Sequence, residues 1–357
     1  MRNKDDIKEL LDYFQNTEDK PLQFDEEAIV SAYQKDDGNQ SLSIKILSIF
    51  GGILASLAFL GFLFIAGLYN SDVGLLVFGV IFIAGSIWIN KEYDKIIIDT
   101  VSVSSFIIGF ILLGFGCGQL NIDENIISII FIIIAFGSLC IVQNYILSFV
   151  SLLIINGSIL TLITSNKGYD LIHIYVSVLA LTMTYFFLKE ATIITTNKAL
   201  SKLYNPVRIG LIFSFLSGLV FLGKKGILPL SPDYVWLSSV IIISVIVYLI
   251  SLLFDVLNIT ETRHKISIYI ITVLILLPTA LSPAISGTIL IILLSFLINY
   301  KTSLVLGIIS FIYFISQYYY DLNFTLLTKS ILLFSTGVLF IALYLLTSKK
   351  LTANEKV

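Results

Sequence analysis

Apolar runs of about 18 residues or more, almost free of charge, recur along this chain from residue 45 onward. A run of that length crosses roughly 30 Å of hydrocarbon as α-helix. Within lipid no water reaches the backbone, so each run must satisfy its own N–H and C=O groups, which a helix does. The composition agrees, with 57% hydrophobic residues, 13% charged residues and a mean hydropathy of +0.96. A soluble domain carries about twice that charged fraction. The fold class expected is an all-α integral membrane protein.

The apolar pattern predicts about twelve transmembrane helices, at 46–68, 72–90, 95–117, 126–142, 145–164, 170–188, 206–222, 234–256, 265–282, 284–299, 302–319 and 325–347. Several connections are short enough to make their spans antiparallel neighbours. Lys and Arg set the orientation, because cytosolic connections hold the excess of positive charge. With the N-terminus in the cytosol, twelve basic residues fall inside (Lys91, Lys95, Lys189, Lys198, Lys202, Arg208, Arg263, Lys265, Lys301, Lys349, Lys350 and Lys356). Leaving out the first 44 residues, Lys45 and the embedded Lys329, only Lys167, Lys224 and Lys225 fall outside. An even number of spans with N- and C-termini both cytosolic follows. The expected organisation is an acidic segment of amphipathic helices at 1–44, a polytopic transmembrane domain at 45–348 and a basic cytosolic tail at 349–357.

In the N-terminal segment Ile7, Leu10, Leu11 and Phe14 fit one helical face, and Ile29, Val30 and Tyr33 a second after Pro21. Acids outnumber bases eleven to five before residue 38. That balance disfavours docking on anionic lipid and favours a protein partner or an intramolecular contact. No basic start is followed by an apolar stretch, so membrane insertion is expected to begin at the first internal span. No basic cluster suits nucleic acid.

Ionisable and polar residues at membrane depth are the candidates for function. The densest group closes one span and opens the next: Gln317-Tyr318-Tyr319-Tyr320-Asp321, then Lys329-Ser330. Lys329 either reaches back to the headgroups or pairs with an acid such as Asp321, Asp72, Asp123 or Asp170. The tyrosines suit an interfacial aromatic belt or the lining of an outer vestibule. His173, just inside the sixth span, reads as a packing residue or a proton relay. Pro278 and Pro283 read as a tight outer turn between spans or as a broken helix lining a site. Asn156 is expected to bond a neighbouring helix, and Asp99 and Asp255 to face Lys95 or Arg263. Gly51/Ala55 and Gly52/Ser56 are spaced for close helix contact, whereas the glycines from Gly109 to Gly118 loosen the third span. Cys117 and Cys140 are expected at opposite membrane ends, unable to form a disulfide or share a metal. No phosphate loop, zinc helix or nucleophile elbow occurs, so no catalytic, cofactor or metal residue is assigned.

The sequence Tyr319-Tyr320-Asp321-Leu322, then Thr325-Leu326-Leu327-Thr328-Lys329-Ser330 and an apolar helix with Gly337, resembles the closing signature of a bacterial polytopic membrane family of unknown function. The resemblance extends in outline to the polar N-terminus, the Gly-rich first span and the many spans beyond it. It implies a cytoplasmic (inner) membrane location and, as partner, another membrane protein named for a Gly-Asp-Tyr-x-x-Leu-x-Tyr (GDYXXLXY) motif. Twelve spans also suit a transporter of the major facilitator superfamily. The Gly-x-x-x-Asp-Arg-type motif of that superfamily has no counterpart in Asn90-Lys91-Glu92-Tyr93-Asp94-Lys95. Three functional readings are therefore carried forward. The chain is a subunit of a membrane complex, a small-solute transporter with an outer-facing polar site, or a membrane enzyme acting on lipid.

Overall fold

The computed structural model describes residues 42–92, 96–224, 226–256 and 259–321, with helical residues at 327, 330, 331, 334, 337, 338 and 341. The N-terminal segment before Leu42, Lys329 and the tail 349–357 lie outside the described residues. Among the described residues from 42 to 321, twelve helices follow in order: α1 Leu42–Ile65, α2 Asp72–Glu92, α3 Ile96–Gln119, α4 Glu124–Ile141, α5 Tyr145–Ser165, α6 Leu171–Leu188, α7 Glu190–Thr196, α8 Lys198–Gly223, α9 Val235–Val256, α10 Thr262–Leu276, α11 Pro283–Leu297 and α12 Lys301–Asp321. Among the described residues, nine helices are long and apolar enough to cross a membrane, and Phe50–Ile65 and Pro283–Leu297 are shorter apolar helices. The first eleven expected ranges each fall on one of these helices.

Local chemistry sets the helix starts. The side chains of Asp123, Asn144 and Asn197 accept hydrogen bonds from the free backbone N–H groups that open α4, α5 and α8. Gly67 takes φ +82°, a left-handed turn available to glycine at no steric cost, between α1 and the 3₁₀ turn Leu68–Asn70.

The chain divides into two compact units, one up to Gly116 and one from Cys117. In the first, α1 meets α3 through small polar residues. Ser104 Oγ donates to Gly52 O at 3.0 Å, and Ser56 Oγ reaches both Gly52 O at 2.7 Å and Ser104 O at 3.2 Å. Gly52 and Ser56 are thus the pair at the contact, whereas a Cβ on Gly51 would meet nothing within 4 Å. Helices α2 and α3 approach until backbone touches backbone. A Cβ on Gly79 would lie 2.9 Å from Leu113 N and 3.0 Å from Gly109 O. Gly109 therefore tightens the third span rather than loosening it, because its missing side chain is where α2 sits. Toward the other end of this pair Ser102 Oγ donates to Ser86 O, and Asn90 donates to Asp99.

In the second unit α8 is the hub, packed against α5, α6, α7 and α11. Its Ile212, Phe215 and Leu219 are buried in a core with Met183 of α6, Ile242 and Leu249 of α9, and Leu290 and Ile291 of α11. Hydroxyls again join helix to helix. Ser138 of α4 meets Ser151 of α5 at 2.7 Å, and Ser295 of α11 donates to Ser303 of α12 at 2.7 Å. Asn156 accepts from the Tyr175 hydroxyl at 3.1 Å, the interhelical bond its position suggested. Both cysteines are free, Cys117 buried and Cys140 exposed.

The largest difference from the expected boundaries lies at the start of α8. The seventh expected range, 206–222, opens at Pro206, a residue type favoured in a helix's first turn and costly further in. In the structure it lies inside α8, which begins at Lys198 behind the Asn197 cap. The connection expected at 189–205 is therefore helical, made of α7 and the first turns of α8, and Arg208 lies within a helix rather than at its edge.

Candidate functional site

The closing motif stands at the end of α12. Phe314 is buried, and its ring lies against the position a Cβ on Gly223 would take at the end of α8. Three residues further, Gln317 Nε2 donates to both carboxylate oxygens of Asp321 at 3.1 and 3.2 Å, which places Asp321 seven residues and about 10 Å along the axis from Phe314. Tyr319 and Tyr320 form an edge-to-face pair with centroids 5.8 Å apart. Tyr320 is 76% exposed, so the pair presents a surface rather than lining a packed interior. Ser330 is helical and exposed. The other half of the candidate pair, Lys329, lies outside the described residues.

His173 is buried near the start of α6. Its Nδ1 is 2.9 Å from Ser238 Oγ of α9, and among the described residues Nε2 has no hydrogen-bond partner. One turn earlier Asp170 accepts from the backbone N–H and hydroxyl of Ser231, both at 3.0 Å. This carboxylate fastens the loop before α9 to the start of α6. Pro278 and Pro283 bracket a turn: α10 passes into the 3₁₀ segment Leu277–Leu281, the chain extends at Ser282, and Pro283 opens α11. Pro283 is buried and Pro278 exposed. The arrangement is the tight turn between two apolar helices, with proline at the first helical position, where its missing N–H costs no bond.

At the opposite end of α6 the structure assembles a cluster that sequence reading passed over. Arg208 of α8 is only 6% exposed. Its guanidinium contacts Glu190, the first residue of α7, at 3.3 and 3.4 Å, and donates to Asn205 Oδ1 at 2.8 Å. The Tyr300 ring lies 3.7 Å from its Cζ, with Tyr204 at 4.9 Å and Phe187 at 6.0 Å. Tyr204 in turn donates to Phe186 O at 3.1 Å, and Phe187 meets Tyr300 edge on. A planar guanidinium suits this setting: its edge serves carboxylate and amide while its face stacks on aromatic rings. The arrangement ties α6, α7, α8 and the residue preceding α12 together around one charge. The available signal was an arginine two residues past a proline, followed by an apolar run; it reads as interfacial only when Pro206 is taken as the helix start.

Among the described residues no three His, Cys, Asp or Glu side chains group as metal ligands. The long apolar helices mark a polytopic helical membrane protein. The chain belongs to the family described as a domain of unknown function (DUF4401), whose model matches residues 41–350. No curated protein and no solved structure matches.

Proposed function

We propose that this chain is a subunit of a protein complex in the bacterial cytoplasmic membrane, with twelve spans and both termini in the cytosol. The observation that carries the reading is the exposed end of α12. Tyr319, Tyr320 and the Gln317-braced Asp321 close α12, with Tyr320 76% exposed. An aromatic pair with a fixed carboxylate offers a partner both apolar area and a hydrogen-bond acceptor at little entropic cost. The partner that the resemblance implies is a membrane protein of the GDYXXLXY-motif type. Purification of the tagged chain from native membranes in mild detergent tests this. The wild type co-elutes with a second membrane protein, and Tyr320→Ala combined with Asp321→Asn reduces that recovery at least about tenfold, as loss of an interface anchor does. Recovery of the wild-type chain alone overturns the reading.

A second reading, small-solute transport, draws on His173, whose enclosed imidazole has one nitrogen bonded to Ser238 and the other without a protein partner among the described residues. Ionisable groups held at membrane depth mark proton and solute paths. On this reading His173, Asp321 and Lys329 serve an outer-facing site. Uptake into proteoliposomes carrying the purified chain should fall in each of His173→Ala, Asp321→Ala and Lys329→Ala. Uptake equal to wild type in the Asp321 and Lys329 variants removes this version.

A further inference from the structure

Helices α6 and α9 run in the same direction, since His173 meets Ser238 near the start of both and a groove lies further along both. One wall is the stripe Leu181, Thr184, Tyr185 and Leu188 of α6; the other is Ile241, Ser244, Val245 and Tyr248 of α9. The spacings i, i+3, i+4 and i+7 place each set on a single helical face. The groove is open rather than enclosed and offers about 460 Å³, within the range of ligand-binding clefts.

The chemistry of the walls is selective. The two hydroxyls are already committed to their own helices, Thr184 Oγ1 to Ala180 O and Ser244 Oγ to Val240 O, each at 2.7 Å. They therefore offer no free donor to a polar solute, and the remaining wall is aliphatic or aromatic. Polarity returns at one end only. There Lys189, which closes α6 with its N–H bonded to Tyr185 O, borders the groove and is exposed, with Tyr185 and Tyr248 exposed beside it. Neighbouring Glu190 does not neutralise Lys189, because its carboxylate faces Arg208. An apolar channel ending at an ammonium and two phenol rings matches an acyl chain joined to a negatively charged headgroup. Basic pockets between membrane helices recognise such lipids, and tyrosine favours headgroup depth.

We propose that this groove is a binding site for an anionic glycerophospholipid, with an acyl chain between α6 and α9 and the headgroup phosphate at Lys189. Native mass spectrometry of the full-length chain in mild detergent tests it, with phosphatidylglycerol and phosphatidylcholine of matched acyl chains added in turn. The wild type is expected to retain phosphatidylglycerol about fivefold more, the factor one lysine supplies toward an anionic lipid. Lys189→Gln, at an exposed position, removes the preference, while Lys198→Gln keeps it. Ser244→Phe, filling the groove from its exposed wall, lowers retention of both lipids. Equal retention of the two lipids by wild type overturns the proposal, as does a preference that survives Lys189→Gln or that Lys198→Gln abolishes equally. Retention unchanged in Ser244→Phe overturns the groove as the site.

Discussion

Gly79→Ala is expected to lower the thermal midpoint of the purified protein, whereas Gly85→Ala in the same helix is expected to leave it unchanged or raise it. Alanine is the better helix former by about 1 kcal/mol at either position. What separates them is space. The Cβ at residue 79 would fall 2.9 Å from Leu113 N, 3.0 Å from Gly109 O and 3.1 Å from Leu113 Cα, all backbone atoms that no rotamer change can move aside. The Cβ at residue 85 would meet nothing within 4 Å. Overpacking of this kind costs about 1–3 kcal/mol, enough to outweigh the propensity gain. Gly79→Val, bulkier and β-branched, should extend the loss. Helical circular dichroism followed through a thermal ramp in mild detergent gives the comparison. Equal midpoints for Gly79→Ala and Gly85→Ala would show that α2 and α3 do not depend on this contact.

Arg208→Ala is the second large effect. The substitution removes hydrogen bonds to a carboxylate and an amide, worth about 1.5–3 kcal/mol for charged groups, together with stacking on Tyr300, about 2 kcal/mol when desolvated. Glu190 keeps a side chain 34% exposed, so water partly compensates its carboxylate once the partner is gone. A net loss of about 3 kcal/mol follows. Arg208→Lys should recover only part, since an ammonium neither forks nor stacks. Combining Arg208→Met with Glu190→Leu should cost less than the sum of the single changes, because it strands no charge. A wild-type melting midpoint in Arg208→Ala would mean that the ion pair and the aromatic stack contribute nothing to the fold.

Sequence reading succeeded where a single helix carries its own information. The apolar ranges from 46–68 to 302–319 fall on helices because length and hydropathy are properties of one segment. Gly52 with Ser56, and Asn156, found their contacts because small or amide residues within a span have few other uses. Arg208 was counted with the inner connection because the expected range began only at residue 206, whereas α8 begins behind the Asn197 cap and carries Arg208 in its third turn. The cluster around it joins residues 187, 190, 204, 205, 208 and 300, and the groove joins 181–189 to 241–248. The cluster has no spacing to read, and although each wall of the groove follows one helical face, only the packing of separate helices brings the two walls together. Of the closing motif, Tyr319, Tyr320, Asp321 and Ser330 can be located; Lys329 belongs to the residues not described.

The serines have a consequence for how such a chain is made. Ser56, Ser151 and Ser295 each donate to the carbonyl four residues earlier in their own helix as well as approaching a neighbour. A nascent helix can therefore partition sideways from the translocation channel into lipid with these hydroxyls already occupied, and meet its neighbour later without exposing a bare donor. Arg208 has no such provision: Asn205 occupies one guanidinium nitrogen, and the counter-charge lies on Glu190, eighteen residues earlier. Because α7 is synthesised just before α8, the carboxylate is already waiting when the guanidinium emerges. A serine thus finds its acceptor within its own helix, whereas the counter-charge for α8 comes from the segment before it.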